Sequence, residues 1–140
     1  MPNDEALSPE RIKHLEFIQT VVSRLSTNSF LVKGWAITVA GAFYAYVTAH
    51  LSWRVALVSL LPVAAFWWLD AYFLRQERLF RCLYNDVRVA DRETEPFSMD
   101  VRPYRAEHTW IAAITSITLV ILYSAILAVG LIILLASLAS

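Results

Sequence analysis

The chain has 140 residues, 58% of them hydrophobic and 17% charged, with twelve basic and twelve acidic side chains. An ordinary soluble domain is near half apolar and a quarter charged, so this balance favours a membrane protein. A formal net charge of zero removes the electrostatic footprint of a nucleic-acid binder, and the lone Cys82 excludes an intramolecular disulfide and a cysteine-based metal site.

The opening residues Met1 to Glu5 are polar and acidic, without the basic patch and short apolar core of a cleavable signal, so the first apolar segment is expected to stay. Ser8-Pro9-Glu10 reads as a helix start: an N-cap serine, a proline at the first helical position and an acid in the first turn. Arg11 stands where a glutamate would complete the capping box. Ile12, Leu15, Ile18, Val22 and Leu25 then recur at helical spacing and form one apolar stripe. Ser26-Thr27-Asn28-Ser29 is expected to end this amphipathic helix and cap the next.

Three stretches suit a bilayer core of ~30 Å, which takes about 20 helical residues to cross. They are 30–49, carrying Lys33; 55–74, carrying Pro62 and Asp70; and 110–140, with no charge from Ile111 onward. After the second, Leu79, Phe80, Leu83, Tyr84 and Val87 continue a stripe opposite Arg75, Arg78, Arg81 and Arg88, with Glu77 one turn before Arg81. One helix is therefore expected to run from the second span to about Ala90, projecting roughly 20 Å beyond the bilayer. Its stripe is a natural partner for that of the N-terminal helix. Asp91 to Glu107 reads as a polar connection with Pro96 and Pro103, and nothing alternates well enough for a strand.

The expected fold is an all-α integral membrane protein divided as 1–29, a cytoplasmic amphipathic helix; 30–74, a membrane hairpin; 75–108, a helical extension and polar loop; and 109–140, a third span. Eleven of the twelve basic residues lie before the first span, in its first turn, or between Leu74 and His108; only Arg54 sits in the hairpin turn. The positive-inside bias places the N-terminus and the long connection in the cytoplasm and the C-terminus outside. His50 and Trp53 then mark the outer interface, and Trp35, Tyr72 and Trp110 the inner one, while Trp67 and Trp68 lie deeper as packing residues.

Intramembrane charges are costly and mark functional candidates. With the turn near Leu51–Ser52, Lys33 and Asp70 fall at equal distances along two antiparallel helices, which permits an ion pair near the cytoplasmic interface. Such a pair orients the hairpin, unless Lys33 snorkels to headgroups; in an assembly the same residues form a charged ring at a pore mouth. Gly34, Thr38, Gly41, Ala45 and Ala49 give the first span a small-residue face for close packing, either inside one protomer or between copies. Pro62 removes a backbone hydrogen bond in mid-span and is expected to kink the second helix. Arg75, Arg78, Arg81 and Arg88 suit phosphate, from a nucleotide signal or lipid headgroups, but topology anchoring and pairing with Glu77 and Asp86 explain them more simply. The connection is balanced, with seven acids and seven arginines from Leu74 to His108. No glycine-rich phosphate loop, nucleophile elbow or metal motif is present, Glu107-His108 being too little by itself, so no enzymatic role and no cofactor is expected.

Asn28 to Trp35, Phe66 to Asp70 with Leu74 to Phe80, and Phe97 to Asp100 with Pro103-Tyr104 together resemble a group of small, poorly characterised bacterial membrane proteins. The layout of cytoplasmic helix, membrane hairpin and helical extension is similar to that of SLATT effectors of phage defence. That resemblance implies a homo-oligomeric pore in the inner membrane, triggered by a soluble regulatory partner or a nucleotide signal. The third span and the lack of a sensor domain depart from a plain two-span effector. The alternative is a non-conducting anchor or accessory subunit that recruits a soluble partner.

Overall fold

A computed structural model describes residues 8–50, 52–89 and 95–139. Their regular structure is entirely helical: α1 (Pro9–His50), α2 (Trp53–Arg88), α3 (Trp110–Ile114) and α4 (Ile117–Ala139), with a 3-10 helix at Arg102–Ala106 before α3. At 1.5 Å per residue, α1 is roughly 60 Å long and α2 roughly 55 Å. These two and α4 are each long and apolar enough to cross a membrane.

The chain enters α1 as its sequence suggests, with the Ser8 hydroxyl accepting the Arg11 N–H at 3.2 Å. The expected break at Ser26–Ser29 is absent, and α1 runs through it as one helix. Serine, threonine and asparagine disfavour helix because their side chains compete for the backbone. Here Ser26, Thr27 and Asn28 face outward, and the Ser29 hydroxyl is taken by Asp70 of α2. Packing along α2 on both sides of the segment then carries the helix across it. The helix is therefore continuous across residues 29 and 30. Leu51, in the expected turn, lies outside the described residues; Ser52 is the N-cap position of α2.

α1 and α2 lie antiparallel and share two separate cores. Toward the hairpin turn, Ala36, Ala40 and Tyr44 of α1 pack with Val63 and Ala71 of α2, Ala113 of α3, and Leu119 and Tyr123 of α4. Toward the other end, Ile18 of α1 packs with Leu79, Leu83 and Val87 of α2 and with Val101 of the connection. The two predicted stripes therefore meet, flanked by Leu15, Val22, Phe80, Tyr84 and Tyr104, though Ile12 stays half exposed. α2 continues through Pro62 to Arg88 without a break.

The third apolar segment is two helices rather than one, interrupted at Thr115–Ser116. Neither proline nor glycine lies at the break; its cause is on α2. The terminal carbonyls of a helix need outside donors, and α2 supplies them. Trp67 Nε1 donates to the Ile114 carbonyl at 3.1 Å, and Arg78 donates to the Ala112 carbonyl at 3.0 Å and to Ser116 Oγ at 3.2 Å. α3 is fixed further by Trp110, stacked on Trp68 at 5.0 Å and covered by the Arg75 guanidinium at 4.9 Å. α4 then runs back beside α1. At Gly130 a Cβ would collide with the Tyr44 hydroxyl and approach Leu60 to 2.9 Å, so glycine lets the three helices close together.

Only 22%, 22% and 17% of the three apolar windows is buried within the protomer. Large apolar side chains such as Phe30, Trp35, Leu61, Ile117 and Ile132 point outward. That is far more exposed apolar surface than a water-soluble monomer carries.

Candidate functional site

Asp70 is completely buried where α1, α2 and α4 meet. A carboxylate placed there must be neutralised and fully hydrogen-bonded. Lys33 Nζ lies 2.8 Å from both carboxylate oxygens. Ser29 Oγ donates to Asp70 Oδ1 and accepts from Lys33 Nζ at 2.7 Å, one helical turn away on α1. From α4, the Tyr123 hydroxyl is shared between Asp70 Oδ2 at 3.3 Å and the Phe66 carbonyl at 3.2 Å. No buried side-chain nitrogen or oxygen lacks a hydrogen-bond partner among the described residues. Lys33 and Asp70 are thus in contact, within a larger group. Counting from the hairpin turn places them at one depth but does not show that their side chains meet. Ser29 shares the Lys33 face by its four-residue spacing, whereas Tyr123 has no sequence signal beyond being polar in an apolar helix.

The arrangement separates the two charged residues by access. Asp70 reaches no outer surface of the protomer and cannot line a pore mouth in this arrangement. Lys33 keeps 26% of its side chain exposed. Chemically the cluster is a neutral lock that joins three helices at one level, with part of the Lys33 side chain left exposed.

The small-residue residues of α1 lie on the opposite side from its packed face. Inside the protomer, α1 uses Val32, Ala36, Ala40, Tyr44 and Val47. Gly34, Thr38, Gly41, Ala45 and Ala49 are all exposed, and a Cβ added at Gly34 or Gly41 would meet nothing within 4 Å. Among the described residues, nothing in the same protomer packs against the glycines of that face.

Arg75, Arg78 and Arg81 are each engaged within the protomer. Arg75 Nε donates to the His108 carbonyl at 2.8 Å, and Arg78 holds the end of α3. Arg81 makes a two-point contact with Glu77 Oε1 at 2.6 and 2.9 Å, and Arg88 lies exposed in the last turn of α2. Asp86 accepts from the Tyr104 hydroxyl at 2.8 Å.

A second constellation lies around Cys82, where the sequence carries no metal motif. The chain folds Glu107 and His108 back onto α2, so that Cys82 Sγ lies 3.0 Å from His108 Nε2. One ligand atom from each of Cys82, Glu107 and His108 falls within 4.8 Å of the others. Burial, and then the Glu107 and Asp86 carboxylates, push the Cys82 thiol above its usual pKa. A gap of some 25 residues between cysteine and histidine hides such a group from any spacing rule.

Compared with known proteins, the chain matches no family model, no curated protein and no solved structure.

Proposed function

We propose that this chain is a three-span protein of a bacterial inner membrane that assembles into a homo-oligomer and acts as a pore-forming or membrane-perturbing effector. The observation that carries the reading is the outward face of α1. In lipid, apolar surface alone does not drive helix association, whereas small residues that permit close backbone approach do. α1 holds two such faces; its own protomer consumes Ala36 and Ala40 and leaves Gly34, Thr38, Gly41, Ala45 and Ala49 for a second copy. The basic residues favour an orientation with the α1 start, the far end of α2 and the connection in the cytoplasm. There the extension offers a surface to a soluble regulatory partner or a nucleotide signal.

A non-conducting anchor is the second reading, favoured by the closed Asp70 cluster. With its charges internal and neutralised, the protomer offers little polar lining to a channel.

The test uses the full chain in liposomes, with mass measured in native nanodiscs and ion flux measured across the vesicle wall. The wild type is expected to be oligomeric and conducting. Gly34→Leu with Gly41→Leu should disperse it and abolish flux while preserving helicity and the protomer's melting point. A wild-type monomer without flux, including in vesicles with a membrane potential imposed, would overturn the effector reading. An oligomer without flux would favour the anchor.

A further inference from the structure

We propose that Cys82, Glu107 and His108 form a binding site for a transition-metal dication of the Zn2+ class, which clips the connection onto α2. The donor set is one sulfur, one imidazole nitrogen and one carboxylate oxygen, the mixture preferred by borderline-soft ions over Mg2+ or Ca2+. Tetrahedral zinc, with about 2.3 Å to sulfur and about 2.0–2.1 Å to nitrogen, separates neighbouring ligand atoms by roughly 3.4–3.6 Å. The observed atoms straddle that spacing: 3.0 Å between sulfur and Nε2, and at most 4.8 Å across the group. Three protein ligands leave the fourth position to water or another small ligand.

The backbone that presents these groups is already fixed. The His108 carbonyl is held by Arg75, and the N–H groups of Glu107 and His108 donate to the Tyr104 carbonyl at 3.2 and 3.3 Å. The Tyr104 hydroxyl in turn is bonded to Asp86, one turn beyond Cys82 on α2. Such outer contacts orient first-sphere ligands in metal sites. Glu107 and Asp86 also place negative potential at the sulfur, which disfavours a bare thiolate but welcomes a dication. On binding, the thiol proton passes to solvent and the sulfur–metal bond takes its place. The bound ion would tie α2 to the segment leading into α3, twenty-six residues on.

The purified full chain, reduced and in detergent, is titrated with Co2+ alone and followed by absorption. The expected result is one equivalent giving a sulfur-to-cobalt charge-transfer band and tetrahedral ligand-field bands, both displaced by Zn2+. Cys82→Ser and His108→Ala should each remove the bands and weaken binding at least about a hundredfold, and Glu107→Gln about tenfold. His14→Ala and His50→Ala should leave them unchanged. Absence of a charge-transfer band in the wild type would overturn the site, a result that depends on no variant folding. Bands that survive Cys82→Ser, or that disappear with His14 or His50, would overturn it as well.

Discussion

The two halves of the helix packing differ in the polar contacts they carry. Toward the ends of α1 and α2 away from the turn, where the surface is charged, the contact is an apolar cluster of Ile18, Leu79, Leu83, Val87 and Val101. Between the apolar helices a second apolar cluster is joined by polar contacts among α1, α2, α3 and α4: Asp70 with Lys33, Ser29 and Tyr123, Tyr44 on the Ile126 carbonyl at 2.9 Å, and Trp67 on Ile114. In the proposed membrane setting the difference follows from the solvent. In water, burying a leucine is favourable because water is excluded. In lipid, a leucine is equally at home against acyl chains, so close packing and hydrogen bonds decide which helix faces which.

The largest way to break this contrast is to remove the charge that neutralises Asp70. Lys33→Met strands a carboxylate with no surface access and should cost roughly 3–4 kcal/mol, in the range for breaking a buried pair. Asp70→Asn should cost less, about 1–2 kcal/mol, because the amide oxygen still accepts from Ser29, Tyr123 keeps the Phe66 carbonyl and Lys33 can turn outward. Unfolding by SDS in mixed micelles measures both; equal losses would mean that Asp70 is not sealed. Gly130→Ala comes next, at about 2–3 kcal/mol, since the added methyl displaces Tyr44 from its bond to Ile126 and overpacks the three-helix contact.

A matched pair of valines sharpens the contrast directly. Val63 in the spans and Val87 in the extension are both 1% exposed. Val87→Ala loses transfer from water as well as contacts and should cost about 2 kcal/mol, while Val63→Ala loses contacts alone and should cost about half that. Equal costs would remove the distinction. The smallest effect lies in the connection. There Arg102, through its side-chain and backbone hydrogen bonds, lowers the Asp100 carboxyl to a pKa of about 2. A depressed carboxyl contributes stability that is complete above its unfolded pKa, near 3.9, and is lost as pH falls through about 2. NMR titration should show that low value, and Arg102→Ala should return it to the ordinary range. Asp100 is solvent-exposed, so global stability should barely respond.

How far the sequence anticipates this structure depends on how local each cause is. Span lengths, the Ser8 start and the two matching stripes depend on neighbours three or four positions away, and they are legible. The shared depth of Lys33 and Asp70 needs only a turn position and a count, whereas their contact depends on how the two helices are rotated. The continuity of α1 through Ser26–Ser29 is not legible, because it depends on a carboxylate forty-one residues away. The break before Ile117 likewise depends on Trp67 and Arg78. For α1, two small-residue faces coexist at the same period, and periodicity cannot tell which one faces inward. Cys82 and His108 meet only because the 3-10 helix and α3 turn the connection back along α2.

The central claim, that a sealed ion pair locks the spans, is tested most directly by a double-mutant cycle across Lys33 and Asp70 in mixed micelles. Replacing a buried pair as a unit costs far less than stranding one charge. Adding Asp70→Asn to Lys33→Met should therefore restore stability, leaving the double variant at least about 2 kcal/mol more stable than Lys33→Met alone. Additive losses, with the double variant the least stable of the three, would contradict the account.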